Sequence, residues 1–227
     1  YSFKKNPIQT IERGIDLNFF DPKSISKNDI KNAIKKYDLK EDSIKILLPA
    51  RVTEWKGHLT LVDAVSQLLA EKILNIEVLF FGPDQNKLLK EKIKNSIKHK
   101  NLQHIIKFYG STDKMNLIYA LSDIVVSSST DPEAFGRVSI EAQAMGKLII
   151  ASAHGGSQET ILEGKTGYLY SPKEPSELMK KISIVIDQKK YCSNEMSSLA
   201  IEHIKSNYGK DKMCKKTLEF YQEIISQ

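Results

Sequence analysis

The sequence predicts an α/β fold: a doubly wound parallel sheet with helices on both faces and extra helices at the C-terminal end. Two observations carry this. From Ile44 to Tyr170, apolar runs of strand length alternate with amphipathic stretches of helical period, the β-α-β-α order that builds such sheets. From residue 175 to 225 the pattern is helical. Composition agrees, with 41% hydrophobic and 27% charged residues over 227, enough for one large domain with a full core. No apolar run approaches the roughly 18–20 residues that a membrane-spanning helix needs.

Residues 1–40 stand outside the alternation. They form a lead-in segment followed by a Lys-rich amphipathic helix over 27–37. Tyr1 to Thr10 is polar and basic, without the apolar stretch of a signal peptide. The chain opens on Tyr rather than Met, so an upstream segment is expected. Ile44–Pro49 is the first buried strand, followed by a helix over 58–72. Ile76–Phe81 is the second, ended by Gly82 and Pro83, with a charged amphipathic helix over 85–99. The third strand, 105–109, stops at Gly110, and a short helix over 114–121 leads into Ile124–Ser127. A helix over 137–145 stops at Gly146. Residues 147–151 and Gly167–Tyr170 are the last strands. Ligands of such folds bind at the carboxyl ends of the strands, beside helix N-termini, so those loops are where chemistry is expected.

The net charge of +6 raises the question of a nucleic-acid partner. The lysines, however, are scattered over 31–40, 87–100, 180–190 and 205–216, alternating with apolar residues as solvated helix faces do. No aromatic-rich RNA-binding strand accompanies them, so no nucleic-acid partner is expected. Attraction to an anionic membrane surface stays open. Cys192 and Cys214 lie in no CxxC pair or His-rich spacing. That argues against a disulfide framework or a zinc site and for free thiols in a reducing compartment. Of the 34 basic residues only three are arginine, namely Arg13, Arg51 and Arg137. In a chain that otherwise uses lysine, an arginine marks a place where a planar, bidentate guanidinium is useful.

Three loops carry chemistry. After the first strand, the loop from Pro49 to Gly57 places Arg51 and Lys56 before a helix, where cations and backbone amides favour an anion. After Ile124–Ser127, the segment from Asp131 to Gly146 holds Glu133 in a loop and Glu141 about one turn inside the following helix. Between them, Phe135 and Gly136 let the backbone pass close to a ligand. The amides of about 136–139 are unpaired donors at the helix start, and the two carboxylates can accept hydrogen bonds from sugar hydroxyls. After residues 148–151, His154, Gly155 and Gly156 form a tight turn opening a helix. For that turn a structural role and a ligand contact stand equally open.

Taken together, these motifs resemble the retaining glycosyltransferases of the two-Rossmann-domain (GT-B) class, in the sucrose-synthase-like family GT4. The specific part is the pair Glu133 and Glu141, with seven residues between them that include Phe135 and Gly136. Looser matches are Gly14, Ile15 and Asp16 followed by Phe20 and Pro22, then Arg51, Lys56 and Gly57, Gly110, Gly155, Gly156, Glu159 and Gly167. They occur in the family's order and spacing over nearly the whole chain. The resemblance is to the C-terminal half. It implies that residues 1–22 are an inter-domain linker and 23–227 a donor-nucleotide-sugar-binding domain.

By that resemblance Arg51 and Lys56 would neutralise the donor's diphosphate, and Glu133 would bind hydroxyls of the transferred sugar. The backbone at Ala134, Phe135, Gly136, Arg137 and Val138 would line sugar and phosphates. Glu141 would hold the ribose hydroxyls, and the loop from Gly110 to Thr112 would pack on the nucleobase. Neither cofactor nor metal is implied; fixed positive charge would stabilise the departing diphosphate. The implied partners are a nucleoside-diphosphate sugar, an N-terminal acceptor domain, and a glycan or lipid-linked glycan acceptor. The implied location is the cytoplasm, peripheral at the inner membrane face, in lipopolysaccharide or other surface-glycan synthesis. The helices over 191–227 would pack toward the N-terminal domain and expose apolar surface here. Alone, the domain would bind donor weakly and transfer sugar slowly or not at all.

Two residues depart from the pattern. Arg13 stands where the linker usually has Asn, and phosphate, the other domain and solvent are all open as its surroundings. Arg137 stands where Leu or Ile is common; it either adds charge near the phosphates or points away. Competing readings are a non-catalytic nucleotide-sugar-binding scaffold, against which intact Arg51, Lys56, Glu133 and Glu141 argue, and a hydrolysing sugar-nucleotide epimerase, which should not carry the Glu pair.

Overall fold

The computed structural model describes residues 8–71, 75–189, 191 and 193–226; Tyr1, Lys72, Lys190 and Cys192 lie outside them. Six strands form one parallel sheet: β1 (Ile44–Pro49), β2 (Ile76–Phe81), β3 (Ile106–Gly110), β4 (Ile124–Ser127), β5 (Leu148–Ser152) and β6 (Gly167–Tyr170). Their spatial order is β3-β2-β1-β4-β5-β6. The order runs outward in both directions from β1 and β4, so the chain reverses its direction of winding between these two central strands.

Alternation along the strands divides the core into two layers. Ile46, Leu48, Val78, Phe80 and Ile150 face one side. They pack under α2 (His58–Ala70), α3 (Lys87–His99) and α7 (Pro175–Asp187). Leu47, Leu79, Val125 and Ile149 face the other. They pack against α1 (Lys27–Lys36), α4 (Met115–Leu121), α5 (Arg137–Ala144) and α8 (Asn194–Asn207). With both faces covered, every β2 and β4 residue is buried, which is why the two strands read as mainly apolar runs; the one charge in them, Glu77 of β2, accepts from Ser43 Oγ at 2.6 Å and the Lys40 amide at 2.9 Å.

Local chemistry sets the boundaries. α1 starts at Lys27 because Ser26 and Asp29 form a reciprocal cap: the Asp29 amide donates to Ser26 Oγ at 3.1 Å and the Ser26 amide to Asp29 Oδ2 at 3.0 Å. Asn86 accepts from the Leu89 amide at 2.9 Å, so the helix expected from residue 85 begins at Lys87. The third strand begins at Ile106, one residue later than expected, because the Ile105 amide turns back to the Leu102 carbonyl at 3.0 Å.

The helical tail is divided into three. Ser193 caps α8, and Gly209 starts α9 (Lys210–Ile225). The lead-in segment is tied to that break. The Ile15 amide donates to Tyr208 O and the Lys210 amide to Ile15 O, each at 2.9 Å, while Phe20 is buried edge-on against Tyr119. α9 itself buries no residue and exposes Leu218, Tyr221, Ile224 and Ile225. Cys214 is an exposed free thiol on this helix.

Candidate functional site

The loops leaving β1 and β4 emerge side by side at the reversal point, and the backbone ties them together. The Thr130 amide donates to Trp55 O at 2.7 Å, and Ser128 Oγ donates to Gly57 O at 3.0 Å. Lys56 sits in a short 3-10 turn (Glu54–Lys56). From there its ammonium reaches Glu133 Oε1 at 2.7 Å, with each side chain only 12% exposed. The ammonium also lies 4.1 Å from the Trp55 ring centroid. Ser129 Oγ donates to the same carboxylate oxygen. Two candidates 77 residues apart in sequence are thus one half-buried ion pair. Arg51 does not join them. It is exposed, with Nη1 held only at 3.4 Å to Gln85 Oε1 on the loop after β2.

The His154–Gly156 turn lies directly beneath the Glu133 loop. The Gly156 amide donates to Glu133 O at 2.9 Å, and a Cβ on Gly155 (φ 57°) would come within 2.3 Å of that same carbonyl. His154 Nε2 is 2.9 Å from both Ser129 O and Ser152 Oγ. Sequence left this turn open between two roles; its contacts are those of a support that fixes where Glu133 stands. The helix it was expected to open is a single turn, α6 (Ser157–Thr160).

α5 opens on Gly136, in the left-handed region, with no side-chain cap. The amides of 136–139 are not all free as expected. The Ser139 amide bonds back to Gly136 O at 2.9 Å, because the left-handed residue tightens the first turn. Ala134 is exposed, and Val138 lines the closed crevice with Lys56 and Glu133. Phe135 packs toward Tyr208, with ring centroids 5.9 Å apart.

One turn further on, Glu141 is buried among the helices. Its Oε2 accepts from Tyr119 Oη and its Oε1 from Arg137 Nη2, both at 2.9 Å. Burial pushes the Glu141 carboxyl above the usual range, while Arg137 and the Tyr119 hydroxyl pull it back. Burial, reinforced by Glu141, raises the Tyr119 phenol well above its ordinary value. Tyr119 was not a sequence candidate. An aromatic on the inner face of a short helix looks like any core residue until its hydroxyl finds a partner.

Beside Glu141 opens a cleft of about 790 Å³. Arg13 and Phe19 of the lead-in segment, Asp113 and Met115 at the start of α4, and Arg137 and Glu141 of α5 line it. Thr112 stands in the loop before α4, where its Oγ1 accepts from the Lys114 amide at 3.1 Å, and Asp113 rather than Thr112 reaches the cleft. Two of the chain's three arginines therefore face one cavity.

His58, the first residue of α2, packs edge-on against Phe80. It is 2% exposed, and neither ring nitrogen has a hydrogen-bond partner among the described residues. Burial, with a smaller contribution from Lys56, depresses its pKa to about 4. The unfolded imidazole takes a proton near pH 6.5, so acid favours the unfolded chain. Stability should fall as pH drops from about 6.5 to about 4, by up to about 3 kcal/mol from this group. Urea unfolding across that interval should show the loss in the wild type and a flatter profile in His58→Phe; equal slopes would contradict it.

Among the described residues no three His, Cys, Asp or Glu side chains gather as a metal-ligand cluster, and no helix is long and apolar enough to cross a membrane. The family described as "Glycosyl transferases group 1" matches residues 29–200. The lipopolysaccharide 1,2-N-acetylglucosaminetransferase of Salmonella typhimurium is 28% identical over 179 residues, 76% of this chain and 47% of that protein. The chain spans about half the length of the curated relatives it matches. A glycosyltransferase of Rickettsia africae superposes with a TM-score of 0.90 at 34% identity, over 95% of this chain and 56% of that one. Anabaena HepE in complex with UDP and glucose gives 0.86 at 24%, over 94% and 56%. The C-terminal domain of LpcC, a group 1 family protein of Francisella tularensis, gives 0.73 at 22%, over 86% of this chain and 99% of that domain.

Proposed function

Because the chain belongs to the group 1 glycosyl transferases, we propose that it is the donor-binding half of a retaining, GT4-type glycosyltransferase that uses a nucleoside-diphosphate sugar. The observation that carries this reading is the convergence at the β1–β4 reversal. Lys56 and Glu133 share one half-buried contact there, Glu141 stands at an open cleft beside it, and Arg51 lies exposed at the same sheet edge. Glu133 and Lys56 form the sugar end, where hydroxyls would share the Glu133 carboxylate with the ammonium. Glu141 forms the ribose end. As the glycosidic bond breaks, negative charge grows on the departing diphosphate. Arg51 and Lys56 offer fixed positive charge to it without a metal. Retention then follows from attack on the face the diphosphate leaves.

The acceptor site belongs to an N-terminal domain, against which the apolar stripe of α9 packs. The chain's match to the C-terminal domain of LpcC favours that order. The UDP held by HepE and the lipopolysaccharide named for the Salmonella relative favour a nucleotide-sugar donor and a surface-glycan acceptor, made by a cytoplasmic enzyme at the inner membrane face.

Calorimetric titration with UDP, GDP, ADP, CDP and TDP, without metal, tests the reading. One diphosphate should bind, and Arg51→Ala and Glu141→Ala should each weaken it by roughly 1–3 kcal/mol, the scale of a lost charge-assisted hydrogen bond. Binding that neither substitution alters, or no binding at millimolar concentration by a full-length protein, would rule it out.

A further inference from the structure

We propose that Arg137 is a specificity-determining residue that changes partner when donor binds: it holds Glu141 in the free protein and the donor's diphosphate in the complex. The inference rests on the reading of the cleft as the donor's nucleotide site. Glu141 has two oxygens and, in the free protein, one donor on each. The two donors differ in kind. Tyr119 is fully buried, so its bond to Oε2 is a fixed part of the fold. Arg137 reaches Oε1 from one turn away on the same helix, and its side chain is 65% exposed. The guanidinium loses little by leaving, because water can solvate it, whereas the Glu141 carboxylate, only 12% exposed, needs another donor in its place.

A carboxylate as buried as Glu141 needs a donor on each oxygen. A ribose hydroxyl entering the cleft can replace the guanidinium at Oε1, while Tyr119 keeps Oε2. The released Arg137 remains on the cleft wall, beside Arg13, with a planar fork suited to two phosphate oxygens. Lysine has no such fork, and this chain places an arginine at only three positions, two of them here. A nucleoside without phosphates displaces the guanidinium and gives it nothing in return. A nucleoside diphosphate does both. Arg137 thereby links ribose recognition to phosphate recognition and favours diphosphate donors over nucleosides.

The test uses the 227-residue chain and three matched probe pairs: UDP with uridine, GDP with guanosine, and ADP with adenosine. Three arginines give three guanidinium Nε–H signals by NMR, assignable with Arg13→Lys and Arg51→Lys. In the free protein, Glu141→Gln should move the Arg137 signal, and the preferred nucleoside should move it the same way. For the pair that binds, Arg137→Leu should weaken the diphosphate roughly five- to thirty-fold, the charge-assisted bond discounted for exposure. It should leave the nucleoside unchanged or slightly tighter, and Arg137→Lys should fall between. If Arg137→Leu weakens diphosphate and nucleoside by the same factor, Arg137 only positions Glu141 and the exchange is wrong, though the donor site stands. If no pair moves any arginine signal or binds either the 227-residue chain or a full-length protein at millimolar concentration, the donor site itself is wrong and the exchange falls with it.

Discussion

Gly57→Ala should lower the unfolding free energy by at least about 3 kcal/mol. Two costs meet at this residue. Its φ of 68° lies in the left-handed region that disfavours any side chain, and a Cβ would stand 1.7 Å from the Ser128 carbonyl oxygen. That oxygen belongs to the β4 backbone exit, so relief requires the β1 and β4 loops to separate. Separation would also pull Lys56 from Glu133, which sit on those two loops. Urea denaturation gives the stability directly, and nucleoside-diphosphate titration of the surviving folded fraction reports the site. A loss below about 1 kcal/mol would mean that the two loops are not locked by this close approach.

Glu133→Ala should cost the full-length protein at least about a hundredfold in sugar transfer, as the loss of one or two charge-assisted bonds to sugar hydroxyls implies. Affinity for the free diphosphate should change by less than about threefold, because ribose and phosphate contacts lie elsewhere. That split separates a sugar-binding carboxylate from one that only holds Lys56 in place. If diphosphate binding collapses as well, Glu133 acts by positioning Lys56. Stability should also fall, by about 1–3 kcal/mol, since the half-buried ammonium loses its counter-charge. The Trp55 ring beneath the ammonium limits that loss.

Strand identities were legible because a sheet covered on both faces demands mainly apolar runs, and β1, β2, β4 and β6 occupy the residues patterning indicates. Helix starts were less legible where a cap sets them, as at Asn86, and the helix opened by the Gly155–Gly156 turn had a readable start but no readable length, because four residues carry no periodicity. Among the candidate residues, Lys56 and Glu133 announced themselves by charge between a strand and a helix, and Arg137 and Glu141 by charge in the first turns of the helix that follows. Sequence could not show that Lys56 meets Glu133, that Arg51 stands apart from both, or that Arg13 shares a cavity with Arg137.

The sequence by itself determined the class of fold, the loops that carry chemistry and the family those loops resemble, since periodicity and charge are local properties of the chain. Only the tertiary structure decided which charges pair, which glycine leaves room for a neighbouring carbonyl, and that a tyrosine in a core helix anchors Glu141. Those facts depend on the strand order that sets β1 beside β4. Hydrogen bonds and close contacts are properties of positions in space, and residues 77 apart in the chain become neighbours only when the sheet is assembled.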